Sequence, residues 1–182
     1  DDALGDTDIT ANGTATLAAV TGIGSGTGAL EREAIDLDVV SVSATNNGDG
    51  HIQLGQITPS SDLLVVQVSQ TDDAGDSIVI AVDDGDLTIQ AAGGGINATG
   101  AGAASGSILL QTWGPGGSGG NLNINDTVDT ILGQISLVSI YGGVLLAETG
   151  DITSVSGDIS VQATAAGQVI TMTDTGADSA II

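Results

Sequence analysis

The chain contains no cysteine and no phenylalanine, one tryptophan, one tyrosine, one histidine, two prolines and a single Lys or Arg among 182 residues. Each shortage removes a class of chemistry. With no thiol and only His51 there is no disulfide framework, no cysteine nucleophile and no ordinary zinc site. Phosphate neutralisation needs several Lys or Arg, and Arg32 stands alone, so a nucleic acid is not an expected partner. Trp113 and Tyr141 are the only aromatic side chains, and the large rings that usually dominate buried area are therefore missing. The longest apolar runs, Leu63 to Val66 and Ile78 to Val82, fall far short of the ~20 residues a membrane-spanning helix requires.

What is present is acidic, aliphatic and rich in glycine. Asp and Glu number 23 and the formal net charge is -22. A mean hydropathy of +0.32 nevertheless separates the chain from charged disordered segments. Ile, Leu and Val supply 49 residues. Such a composition suits a thin core of stacked branched side chains, and the length fits one domain spanning 1–182.

Internal repeats point to how that core is built. A glycine, any residue, then aliphatics at alternating positions recurs as Gly50-His-Ile-Gln-Leu54, Gly85-Asp-Leu-Thr-Ile89, Gly106-Ser-Ile-Leu-Leu110, Gly120-Asn-Leu-Asn-Ile124, Gly133-Gln-Ile-Ser-Leu137 and Gly157-Asp-Ile-Ser-Val161. Each copy reads as one short strand whose period of two puts the aliphatics on one face and Asp, Thr, Ser, Asn or Gln on the other. The glycine reads as a corner that needs positive φ. Gly85, Gly106, Gly133 and Gly157 recur every 20–27 residues, with the Gly120 and Gly150 copies between them. The expected fold is an all-β, right-handed parallel β-helix, a β-solenoid of 20–27 residues per coil with two or three strands in each. Only Gly28 to Leu37 has a composition that tolerates helix, and it is read as a loop or irregular turn. The competing all-β architecture is an antiparallel sandwich. The same-sense repeats, the lack of aromatics to fill a two-sheet core and the lack of paired hairpins stand against it.

The copies Gly85-Asp-Leu-Thr-Ile-Gln-Ala91 and Gly157-Asp-Ile-Ser-Val-Gln-Ala163 resemble the repeats of large secreted filamentous-haemagglutinin-like exoproteins and autotransporter passengers. Thr21-Gly-Ile-Gly-Ser-Gly-Thr-Gly-Ala-Leu-Glu31, with Asp36 to Val40 and Asn46 to Ile52, resembles a recurring unit of very large bacterial surface proteins. The resemblance implies the right hand of the helix, export to the cell surface or beyond, and a role in adhesion, biofilm or surface fibres. It carries over no catalytic residue. Such exoproteins are far longer, so 182 residues is expected to be a fragment or a processed unit.

The sharpest candidate site is a pair of acidic clusters, Asp72, Asp73 and Asp76 before the strand from Ile78 to Val82, and Asp83, Asp84 and Asp86 after it. Carboxylates from two adjacent corners could converge on Ca²⁺, which takes 6–8 oxygen ligands. The alternative is that Asp closes turns while water solvates its charge. Gly116-Gly-Ser-Gly-Gly-Asn121 is similar to a calcium-binding nonapeptide but occurs once and has Asn at the ligand position. His51 is expected to point outward, Arg32 to pair locally with Glu31 and Glu33, and Trp113 to lie in a loop beyond a strand. A β-helix can host polysaccharide-cleaving enzymes, and chance carboxylate pairs abound, but one Trp, one Tyr, one Arg and one His cannot line a sugar cleft. The expected function is therefore a non-catalytic fibre module that self-associates through its terminal coils, where Ile181 and Ile182 leave an apolar face. The alternative is an adhesin segment that binds a host or matrix ligand.

Overall fold

The computed structural model describes residues 7–24, 34–58, 61–71, 76–100, 106–114 and 119–173. Fifteen strands follow in chain order: β1 (Ile9–Ala19), β2 (Ile35–Asn46), β3 (Ile52–Gln56), β4 (Leu63–Gln70), β5 (Ile78–Asp83), β6 (Leu87–Ile89), β7 (Gly95–Ala98) and β8 (Ile108–Trp113). Then come β9 (Leu122–Ile124), β10 (Val128–Thr130), β11 (Ile135–Ser139), β12 (Val144–Leu146), β13 (Ile152–Ser154), β14 (Ile159–Ala163) and β15 (Ile170–Met172). No helix occurs among the described residues, and every ladder between strands is parallel.

The chain is a β-solenoid in which about 5 turns, from β3 onward, stack on the two further levels formed by β1 and β2. One wall stacks β3, β5, β8, β11 and β14. A second stacks the first half of β4 with β6, β9, β12 and β15, and a third stacks the rest of β4 with β7, β10 and β13. The long strands β1 and β2 run from one wall into the next, with a bulge between Ala11 and Thr14 where the chain turns.

Alternation explains the walls. On each strand every second residue points into the coil, where branched aliphatics stack on the residue of the same rank one coil away. Ile52, Ile78, Ile108 and Ile135 form one such column, and Leu54, Ile80, Leu110 and Leu137 another; all eight are essentially inaccessible to solvent. Each buried Ile or Leu contributes about 1.5–3 kcal/mol of apolar burial. A ring of two or three short strands fills itself with such residues and leaves no space for aromatics, which is why one tryptophan and one tyrosine suffice.

The six glycine-led copies are β3, β6, β8, β9, β11 and β14, but they belong to two walls. Gly106, Gly133 and Gly157 precede first-wall strands and lie over one another, whereas Gly85 lies under Gly120 and then Gly142 ahead of the second wall. Successive first-wall residues Ile52, Ile78, Ile108, Ile135 and Ile159 set the length of each coil. The reason for glycine also differs from the sequence reading. Of the six, only Gly50 has positive φ, at 102°. At Gly106, Gly133 and Gly157 a Cβ would fall on the backbone carbonyl of Asp76, Gly106 and Gly133 in the coil beneath. Close approach between coils, not turn handedness, excludes a side chain there.

The helix-tolerant stretch Gly28 to Leu37 ends in strand, since Ile35–Leu37 opens β2 and pairs with Leu54–Gln56. Its earlier residues lie outside the described ones apart from buried Ala34.

Candidate functional site

The two acidic clusters are separated by the strand that was expected to join them. Asp76 lies before β5, whereas Asp83 ends β5 and Asp84 and Asp86 follow it. Six extended residues span about 20 Å, so Asp76 lies at one end of β5 and Asp83, Asp84 and Asp86 lie at the other. Asp72 and Asp73 lie outside the described residues. Among the described residues no group of three or more His, Cys, Asp or Glu is arranged to hold a metal ion.

The carboxylates reach backbone amides of neighbouring coils instead. Asp62 Oδ1 accepts the N–H of Asp86 at 2.9 Å, Asp86 Oδ1 accepts that of Asn121 at 2.6 Å, and Asn121 Oδ1 accepts that of Gly143 at 2.9 Å. Asp76 accepts the N–H of Gly50, and Asp8 that of Asp36. Asp126 takes the amides of Gly93 and Gly94 on one oxygen and of Thr127 on the other. These are inter-coil caps. A short side chain with an acceptor two bonds from Cβ bridges one coil spacing, which suits Asp rather than Glu to these five positions, and Asn121 of the calcium-like glycine run is one member of the same ladder.

Hydroxyls do similar work on the inside of corners. Thr130 Oγ1 donates to the carbonyl of Gly106 at 2.9 Å and accepts the N–H of Gly133 at 3.2 Å. Ser154 repeats this with Gly133 and Gly157, and Ser139 with Gly120 and Gly142. Each is a Ser or Thr three residues before a glycine that lies close over the next coil. Thr130-Ile-Leu-Gly133, Ser139-Ile-Tyr-Gly142 and Ser154-Val-Ser-Gly157 therefore carry a signal that the glycine-led pattern alone misses, because that pattern begins at the glycine.

Asp36, Asp83 and Asp129 have carboxyl pKa values raised above the ordinary range. Burial is the main cause in each, reinforced by Asp8 beside Asp36, by Asp84 beside Asp83 and by Asp151 and Asp126 near Asp129, where a hydrogen bond with Thr153 pulls the other way. Asp83 aligns with Trp113 in the next coil, and its Oδ1 is buried without a hydrogen-bond partner. Trp113 itself closes β8 and does not lie in a loop beyond it. His51 Nδ1 accepts the N–H of Ser77 at 2.8 Å and lies 3.7 Å from Asp76 Oδ1, so the ring is half-buried and joins two coils. Arg32, Glu31 and Glu33 lie outside the described residues.

The outer surface formed by the described residues carries open grooves. One of about 320 Å³ runs beside Thr88, Asn123, Leu145 and Thr171, and one of about 250 Å³ lies beside Asp38, Gln56 and Asp62. Neither contains a histidine, a cation or an aromatic ring. The ends differ from the sides. Among the described residues β1 pairs only with β2, and β14 and β15 pair only with the coil beneath them. Among the described residues Val155, Val169, Ile170 and Met172 are exposed in or near the last coil and Val20 follows β1 at the near end, while Val40, Leu132 and Leu145 are exposed along the sides.

No protein-family model, curated protein or solved structure matches this chain. Many polar groups at the described corners are engaged in stacking coils, and no described strand pairs the outer edges of β1, β14 and β15. Ile181 and Ile182, the residues expected to form the apolar face, lie outside the described residues.

Proposed function

We propose that the chain is a non-catalytic structural module of an extracellular or cell-surface fibre, stacked end to end through the edges of its terminal coils. The observation that carries this reading is the state of β15. Ile170 and Met172 occupy the inward columns of Val144 and Leu146, yet they are 46% and 39% exposed where the residues beneath them are buried. Core positions left accessible beside a strand edge that no described strand pairs are a template for another parallel strand. The charge of -22 opposes lateral clumping and leaves the axis as the direction of growth. A head-to-tail contact that does not close gives an open filament. Export is supported by the resemblance of the repeats to exoprotein repeats.

Sedimentation velocity over a range of concentrations, beside titration with soluble glycans and matrix proteins, tests this function. Concentration-dependent growth without ligand binding is expected. Specific micromolar binding by a chain that stays monomeric would favour the adhesin reading instead.

A further inference from the structure

We propose that His51 is a proton-operated clasp between two coils: neutral, it holds the coil of β5 on the coil of β3 through the Ser77 amide, and on taking a proton at Nδ1 it releases that amide and turns to Asp76. The clasp works whether or not the chain assembles into a fibre. It occupies a position that recurs along the solenoid. A residue immediately before an inward aliphatic offers a side-chain acceptor to the backbone N–H of the residue of the same rank one coil on. Asp8 does so to Asp36, Asp62 to Asp86, Asp86 to Asn121, Ser107 to Gln134 and Asn121 to Gly143. His51, which precedes Ile52, does so to Ser77, which precedes Ile78.

The acceptors at this position are not equivalent. A hydroxyl or an amide does not titrate near neutral pH, and a carboxylate accepts throughout that range. Imidazole is the exception, because histidine changes charge between about pH 5 and 8, and the chain holds one histidine. The Ser77 N–H meets Nδ1 at 2.8 Å, so Nδ1 carries the lone pair and the ring proton sits on Nε2. A second proton can go only to Nδ1, where it faces another N–H. The bond to Ser77 is then lost, and the new Nδ1–H has Asp76 Oδ1, 3.7 Å away, as its acceptor.

Three coils meet at this residue, so the exchange is felt beyond the ring. The His51 carbonyl accepts the N–H of Ile23 from the coil beneath, and the Ser77 carbonyl accepts that of Ile52. Asp76 accepts the N–H of Gly50 in the opposite direction. The clasp is therefore reciprocal, with each coil lending one side chain to one amide of the other. Drawing Asp76 towards a charged ring slackens its hold on Gly50, which lies close against the Thr21 carbonyl with a φ of 102°. Among the described residues of the segments packed here, 20–24, 47–51 and 76–78, the titratable groups besides the ring are Asp76 and the exposed Asp49.

An NMR titration of the isotope-labelled chain from about pH 8 to 5 tests the clasp. At the alkaline end the imidazole should carry its proton on Nε2. As the ring charges, the Ser77 amide should shift with the same midpoint and lose protection from hydrogen exchange, after correction for the intrinsic pH dependence of exchange. The Gln134 amide, held by the Ser107 hydroxyl, should not follow that midpoint. His51→Gln offers Ser77 a carbonyl oxygen that does not titrate and should abolish the transition; should that variant not fold, the ring tautomer and the shared midpoint in the unaltered chain decide the matter. A neutral ring protonated on Nδ1, a ring that titrates while the Ser77 amide stays unmoved and protected, or a Ser77 transition that persists in His51→Gln would each overturn the proposal.

Discussion

At single residues, the fold depends on groups that touch the coil above or below. Gly133→Ala drives a methyl onto the Gly106 carbonyl and should cost about 1–3 kcal/mol in chemical denaturation, the range of overpacking. Gly13→Ala, which meets nothing within 4 Å, should leave stability within about 0.5 kcal/mol. Thr130→Val keeps the shape but leaves the Gly133 amide and the Gly106 carbonyl without the hydroxyl that serves both, at a cost of about 1–3 kcal/mol. Asp36, Asp83 and Asp129 make a different prediction. Their raised values mean that the folded state holds the proton more tightly than the unfolded chain does. Their contribution is fully present below the ordinary Asp pKa of about 3.9 and is lost as pH rises through the raised values. The melting temperature should therefore rise as pH falls from neutral towards 4, and Asp129→Asn should weaken that dependence; a melting temperature that falls steadily over this range would contradict it.

At the level of strands, phase decides whether a change is tolerated. Ile135 is inaccessible in its column, so Ile135→Ala should lose about 2–5 kcal/mol and Ile135→Asp should prevent folding, because the core offers the charge no partner. Thr88 faces outward between buried Leu87 and Ile89, and Thr88→Asp should fold normally; equal damage from both Asp variants would mean that the alternation had been misassigned. This phase was readable in the sequence because glycine and a period of two mark it at every copy. The assignment of copies to walls was not. Gly85 and Gly106 look alike in sequence, and only the carbonyl each one covers tells the two corners apart. The role of the acidic residues was hidden for the same reason: Asp62 and Asp86, or Asp86 and Asn121, meet only after a full coil has closed. Local spacing around β5 suggested a cluster, and the strand puts Asp76 at one of its ends and Asp83, Asp84 and Asp86 at the other.

For the whole molecule, self-repulsion sets the conditions under which ends can meet. Carboxylates that already accept amide hydrogens from neighbouring coils leave screening as the dominant effect of added salt. NaCl and CaCl₂ at equal ionic strength should then promote association alike; a larger effect of Ca²⁺ that disappears in Asp76→Asn with Asp84→Asn would instead support the cation site expected from the acidic clusters. Assembly through the ends also has a geometric signature. Each column from Ala15 to Met172 holds one residue per coil, so a copy stacked in register advances the axis by roughly 34 Å at about 4.8 Å per coil. Cryo-electron microscopy of the concentrated chain in salt measures this directly. Filaments with strands across the axis, a ~4.8 Å spacing that continues through subunit boundaries and a subunit repeat near 34 Å are the predicted result. Isolated short rods at every concentration, or filaments whose 4.8 Å spacing breaks at each boundary, would contradict it.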